Sequence, residues 1–115
     1  MNQSWEEKRR FSRFRVNCPV SFLSSGRLII GETVDLGLGG MKIQCRSVLS
    51  VGQAYDFMVL IDDHPIGPNG KIVYRENQPE FIYSAGVSFL NLPKDHHNQL
   101  SEFLSTRHSQ PGGVE

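Results

Sequence analysis

Phe81-Ile82-Tyr83-Ser84-Ala85-Gly86-Val87-Ser88-Phe89 carries the cleanest alternation in the chain, with Phe81, Tyr83, Ala85, Val87 and Phe89 on one side of a period-two pattern. That period belongs to a β-strand with one buried face. Working back from it, Asn77-Gln78-Pro79-Glu80 reads as a turn. Lys71–Arg75 reads as a strand around Ile72, Val73 and Tyr74, and Tyr55, Phe57, Val59 and Ile61 read as another, ended by Asp62-Asp63-His64-Pro65. Met41, Ile43 and Cys45 alternate with Lys42, Gln44 and Arg46. Val16, Cys18, Val20 and Phe22 do the same around Asn17, Pro19 and Ser21. Pro19 cannot donate to a ladder, which places it at an edge or a strand start. After the Ser24-Ser25-Gly26 turn signal, Leu28 to Asp35 is rich in β-branched residues, with Leu28, Ile30 and Val34 expected on its inner face.

About six short strands joined by turns argue for an antiparallel barrel or sandwich, and the barrel is preferred because closing the sheet removes unpaired edges. Pro93 suits a first helical turn, and Leu100, Phe103 and Leu104 recur at helical spacing, so Lys94 to about Thr106 reads as a helix packed on the barrel. The fold class is therefore all-β with a C-terminal helix. Residues 1–7 read as a flexible N-terminal segment, 8–105 as the single domain, and 106–115 as a disordered tail.

At 115 residues the chain supports one compact core. No apolar run reaches the roughly 20 residues of a spanning helix, and the first ten residues lack the apolar centre of a secretion signal, so the expected location is cytoplasmic. Cys18 and Cys45 fall on separate alternating segments and read as free, buried thiols.

The formal charge is zero, but five of the twelve basic residues sit in Lys8, Arg9, Arg10, Arg13 and Arg15. Without that arm and its neighbours Glu6 and Glu7, seven basic and ten acidic residues remain, a balance of minus three. The body of the domain is thus not the basic surface that tracks a nucleic-acid backbone. RNA or single-stranded DNA binding through the arm would also need an aromatic stacking surface beside the charge. Trp5 lies near the arm, and Tyr74 and Tyr83 read as strand packing. His96 and His97 open the helix, His64 lies in a turn and His108 in the tail. No nucleophile–base set and no metal-ligand spacing stands out, so no enzyme, catalytic residue, metal or cofactor is expected.

Two segments carry recognisable chemistry. Arg9 and Arg13 are four residues apart, just before the first strand, and each guanidinium can pair with a guanine edge, a phosphate or a base face. Between the second and third strands lies Asp35-Leu36-Gly37-Leu38-Gly39-Gly40. A carboxylate such as Asp35 accepts from the N1–H and N2–H donors of guanine, and glycine admits a close approach to the backbone. Each segment also has a plain reading: a solvated basic tail for the first, and an Asp-capped turn with left-handed glycines for the second.

Taken in order on this strand pattern, the two segments resemble the PilZ domain family, whose pattern is Arg-x-x-x-Arg followed by Asp/Asn-x-Ser-x-x-Gly. The resemblance covers about residues 6–105 and implies a six-stranded antiparallel barrel that binds cyclic di-GMP on its outer face. It also implies that the arginine arm folds over the nucleotide and that a protein partner reads the result. By that resemblance the ligand-binding set is Arg9, Arg13, Asp35, Gly37 and Gly40, with Lys8 and Arg10 as additional contacts. Lys8 stands where relatives set whether one nucleotide or a stacked pair is held, and a basic residue there favours the pair. One departure is plain: Gly37 replaces the motif's serine. The missing hydroxyl removes a hydrogen bond worth ~1 kcal/mol, and the extra glycine adds freedom that must be lost on binding, so together they imply an affinity loss of about tenfold. The alternative expectation is a nucleotide-independent adaptor of the same family in which Gly37 marks a decayed site.

Overall fold

The computed structural model describes residues 13–108, and places β-strands at Arg13–Arg15 (β1), Pro19–Ser24 (β2), Arg27–Gly37 (β3), Gly40–Cys45 (β4), Ala54–Asp56 (β5), Met58–Ile61 (β6), His64–Ile66 (β7), Asn69–Gln78 (β8) and Ile82–Asn91 (β9). A helix, α1, follows at Lys94–His108. All pairings are antiparallel, and the ladder order is β5-β8-β9-β4-β3-β2-β6-β7, with β1 paired to β3.

The expected fourth strand exists, but it is broken at Phe57. Its first half pairs with β8 and its second with β2, while the Phe57 amide donates to Pro68 O at 2.9 Å. The sheet therefore curls until one continuous piece of chain spans both of its ends. Counting β5 and β6 as one interrupted strand gives the six principal strands of the barrel; β1 and β7 are short additions that the alternation did not announce.

Two tight hairpins use residues with positive φ, as the right-handed twist of paired strands demands. Ser25 and Gly26 have φ of 52° and 79°, and Asp62 and Asp63 have 47° and 67°. The glycines of the β3–β4 link are different. Among the described glycines, the positive values fall at Gly26 and Gly52, so the left-handed reading of residues 37–40 is corrected. A Cβ on Gly40 would run into the Val87 carbonyl, so close packing of β4 on β9 requires glycine there, whatever ligand is bound.

The face of β3 also corrects the expectation. Leu28 and Ile30 are exposed and Val34 is only half-buried, whereas Ile29, Thr33 and Leu36 point inward. A register shift between Thr33 and Asp35 resets the alternation, which is why no single period fits this strand. Phe81 is likewise not a strand residue: it has φ of 61°, closes a short 3₁₀ turn over Pro79–Phe81, and is 79% exposed. The strand begins at Ile82, and its buried stretch is Ser84 to Val87.

The core joins both walls of the barrel to the helix. Val20, Ile43, Val59, Ile72 and Val87 meet Leu100, Phe103 and Leu104, with Phe22, Tyr55 and Phe57 forming an aromatic cluster at centroid distances of 4.8 to 5.9 Å. Pro93 precedes the helix and its carbonyl accepts the His97 amide at 2.8 Å. His96 Nδ1 accepts the Gly67 amide at 3.0 Å, which docks the helix start on the β7–β8 link. The helix continues to His108, slightly beyond its expected end.

Cys18 and Cys45 are both buried, and neither is in a disulfide. Burial pushes the Cys45 thiol above its ordinary range, since the thiolate loses hydration. Because the folded value is the higher one, the folded state loses stability as pH rises past the unfolded thiol value of about 8.5. Slow labelling of Cys45 by a thiol reagent at pH 8, becoming fast only on denaturation, is the expected outcome; fast native labelling would contradict it.

Candidate functional site

The site begins with a buried threonine. Thr33, fully buried, donates its hydroxyl to Val16 O at 2.6 Å and accepts the Cys18 amide at 2.8 Å. Its own amide donates to Cys18 O at 2.8 Å, and Asn17 Nδ2 donates to Thr33 O at 2.8 Å. These four bonds fasten the link between β1 and β2 to the middle of β3. Just above them, β1 runs antiparallel to β3 with Arg13 opposite Gly37 and Arg15 opposite Asp35.

This register brings the two chemistry-bearing segments together. Arg13 Nε lies 3.4 Å from Asp35 Oδ1, and the Lys42 amide donates to the same oxygen at 3.0 Å. The side chains of Arg13 and Asp35 are 40% and 25% exposed, so the carboxylate sits at the surface with its direction fixed by a backbone donor. Its outward aim comes from the register shift at Val34, which turns Leu36 in and Asp35 out. Gly37 is buried in the β1–β3 ladder, and Gly40 is pressed on β9. Lys8, Arg9, Arg10 and Trp5 lie outside the described residues.

Sequence reasoning passed over two neighbours. Lys42 both orients Asp35 through its amide and reaches Glu76 Oε1 with its ammonium at 3.4 Å. Glu76 Oε1 in turn accepts the Ser84 hydroxyl at 3.4 Å. The pairing of β3, β4, β9 and β8 makes these side chains neighbours, and only that pairing would have revealed them.

The PilZ domain family model matches residues 7–106, more than four-fifths of the chain and both motif segments. The chain belongs to the PilZ family. No curated protein matches it significantly in sequence. Among solved structures, the PilZ domain of YcgR from Escherichia coli, described with c-di-GMP, superimposes with a TM-score of 0.72 at 15% identity, over 86% of this chain and 90% of that one. The inhibitor of motility MotI/DgrA from Bacillus subtilis gives 0.74 at 14% identity, over 88% of this chain and 51% of that one. This chain thus spans about half the length of that inhibitor. The PilZ domain of CeSA from a cellulose-synthesising bacterium gives 0.59 at 13% identity, over 83% and 96% of the two chains. These likenesses establish the PilZ fold. Among the described residues of this PilZ domain, no cluster of His, Cys, Asp or Glu is grouped to hold a metal, and no helix is long and apolar enough to cross a membrane.

Proposed function

We propose that this PilZ domain is a cyclic di-GMP receptor that orders its N-terminal arginine arm on the nucleotide and presents the changed surface to a protein partner in the cytoplasm, with no catalysis of its own. The observation that carries this reading is the Arg13–Asp35 contact, 3.4 Å apart at the foot of the arm. It unites a guanidinium that can pair with phosphate or guanine and a carboxylate that can accept from guanine N1–H and N2–H. Arg9 and Arg13 bind guanine and phosphate in this reading, with Lys8 and Arg10 as further contacts. Asp35 reads the Watson–Crick edge, and Gly37 and Gly40 flank it in the second motif, where Gly40 packs β4 on β9. Ordering the arm costs conformational entropy, which several charge-assisted contacts must offset together.

The second reading is a nucleotide-independent adaptor. Gly37, in place of a serine, favours it, as does the internal partnering of the Asp35 carboxylate by Arg13 and the Lys42 amide. Calorimetric titration with cyclic di-GMP, with GTP as control, separates the two. Micromolar or tighter binding with a defined stoichiometry is expected for the receptor and reports one nucleotide or a stacked pair. No heat, and no change in an NMR titration, would leave the adaptor reading.

A further inference from the structure

Away from Arg13 and Asp35 the outer face of the sheet turns apolar. Leu23 on β2 stands opposite Leu28 on β3, Ser21 opposite Ile30, and Ser21 also opposite Met58 on β6. Cross-strand partners and alternate residues share a face, so the four large side chains look the same way, opposite to the buried Val20, Phe22, Ile29 and Val59 of the same strands. Leu23, Leu28, Ile30 and Met58 are 64%, 61%, 67% and 54% exposed. Soluble monomers rarely leave large apolar side chains contiguous across three strands. The middle strand, β2, is already paired on both sides at Ser21, so cover comes face-on, as a second sheet stacked about 10 Å away, and not as an added strand.

The charges beside the patch identify that second sheet. Ile30, Glu32 and Arg46 line one surface hollow, with Glu32 two residues along β3 and Arg46 next to Cys45, the ladder partner of Gly31. Glu32 accepts from Gln44 Nε2 at 2.8 Å, and Arg46 Nη1 donates to Glu80 O at 3.1 Å. Among the described residues, neither faces an opposite charge within ion-pair distance. Ile30 thus sits between a carboxylate and a guanidinium that both lack a counter-charge. A partner carrying one sign would repel one of them, whereas a second copy of this chain carries both. A two-fold axis through Ile30 sets that side chain against itself and forms the Glu32–Arg46 pair twice.

We propose that this face is a homodimer interface, in which two chains stack the outer faces of β2 and β3 about a two-fold axis at Ile30, with Glu32 of each chain facing Arg46 of the other. An apolar centre inside a charged rim is the anatomy of a specific interface. Interfaces of standard size bury about 800 Å² on each side, and the four exposed apolar side chains supply the dry centre of such an area, with Ile82 across the hollow and exposed Phe81 beside it extending it. The inference invokes no ligand and stands apart from both nucleotide readings.

The test is analytical ultracentrifugation of the full chain without nucleotide. Between about 10 μM and about 1 mM, monomer is expected to give way to dimer. Ile30→Glu places a charge at the centre of the contact twice and should weaken association by at least about thirtyfold. Its thermal melt at low concentration should match the parent, because the position is exposed in the single chain. Glu32→Arg and Arg46→Glu should each weaken the dimer by about five- to tenfold, and the double variant Glu32→Arg/Arg46→Glu should restore it. A parent that stays monomeric up to about 1 mM overturns the proposal. Contacts from the Ile30 methyls to residues 1–12 in such a monomer would assign the face to the chain's own arm. Dimerisation that Ile30→Glu leaves intact, or a double charge swap no better than the single ones, overturns it equally. Should Ile30→Glu fail to fold, Ile30→Thr keeps the β-branched shape and decides the matter: association weakened by about tenfold supports the interface, and unchanged association removes it.

Discussion

Arg13→Ala is expected to weaken cyclic di-GMP binding by more than about a hundredfold while leaving the barrel folded. Charge-assisted hydrogen bonds are worth ~1.5–3 kcal/mol each, and a guanidinium facing guanine or phosphate makes two. The stability side is small because the Arg13 side chain is 40% exposed and a surface ion pair such as Arg13–Asp35 contributes ~0–1 kcal/mol. Arg13→Lys keeps the charge but loses the fork, and should fall between the two. Calorimetry for affinity and a thermal melt for folding measure both effects. Normal binding by the double variant Arg9→Ala/Arg13→Ala would show that the nucleotide site lies elsewhere.

Thr33→Val should be the most damaging conservative change in the described chain. Valine matches threonine in shape, but it strands the Val16 carbonyl and the Cys18 amide, which the hydroxyl now joins at 2.6 and 2.8 Å. Each buried group left unsatisfied costs ~1–3 kcal/mol, so a loss of about 2–4 kcal/mol is expected. For a domain of this size, that lowers Tm by roughly 10–20 °C. Thr33→Ser restores the hydroxyl and should recover most of the loss. Hydrogen exchange at Cys18 adds a local readout, since its amide should exchange faster in Thr33→Val. A Tm within a degree or two of the parent would mean that the link between β1 and β2 is held by other contacts.

The two changes act on different levels of the same site. Arg13 touches the ligand in the proposed reading, whereas Thr33 holds the strand from which Arg13 projects. A structural variant can therefore mimic a binding variant if only binding is measured. Pairing each titration with a melt separates them.

Much of this arrangement is legible in the order of residues, and the failures have a common cause. Val20, Phe22, Met41, Ile43 and Cys45 announce two strands because their alternation is uninterrupted, and all five are buried. Leu100, Phe103 and Leu104 announce the helix for the same reason. Alternation misleads wherever the pairing slips. In β3 the shift at Val34 turned the apparent inner residues Leu28 and Ile30 into exposed ones. In β8 the shift beside Val73 hid the outward aim of Tyr74. Phe81 extended the best alternation by one step too many because a turn with positive φ interrupts it. Asp35 was singled out by chemistry, yet its fixation by the Lys42 amide needs the β3–β4 ladder, which is a long-range fact absent from local pattern.

The break at Phe57 has a consequence for how the barrel can come apart. The ladders form an open series from β5 to β7, and β5 at one end is joined to β6, next to the other end, by covalent chain through one residue. Fraying either ladder that flanks Phe57 loosens a seam without releasing it, because the polymer itself is the hinge pin.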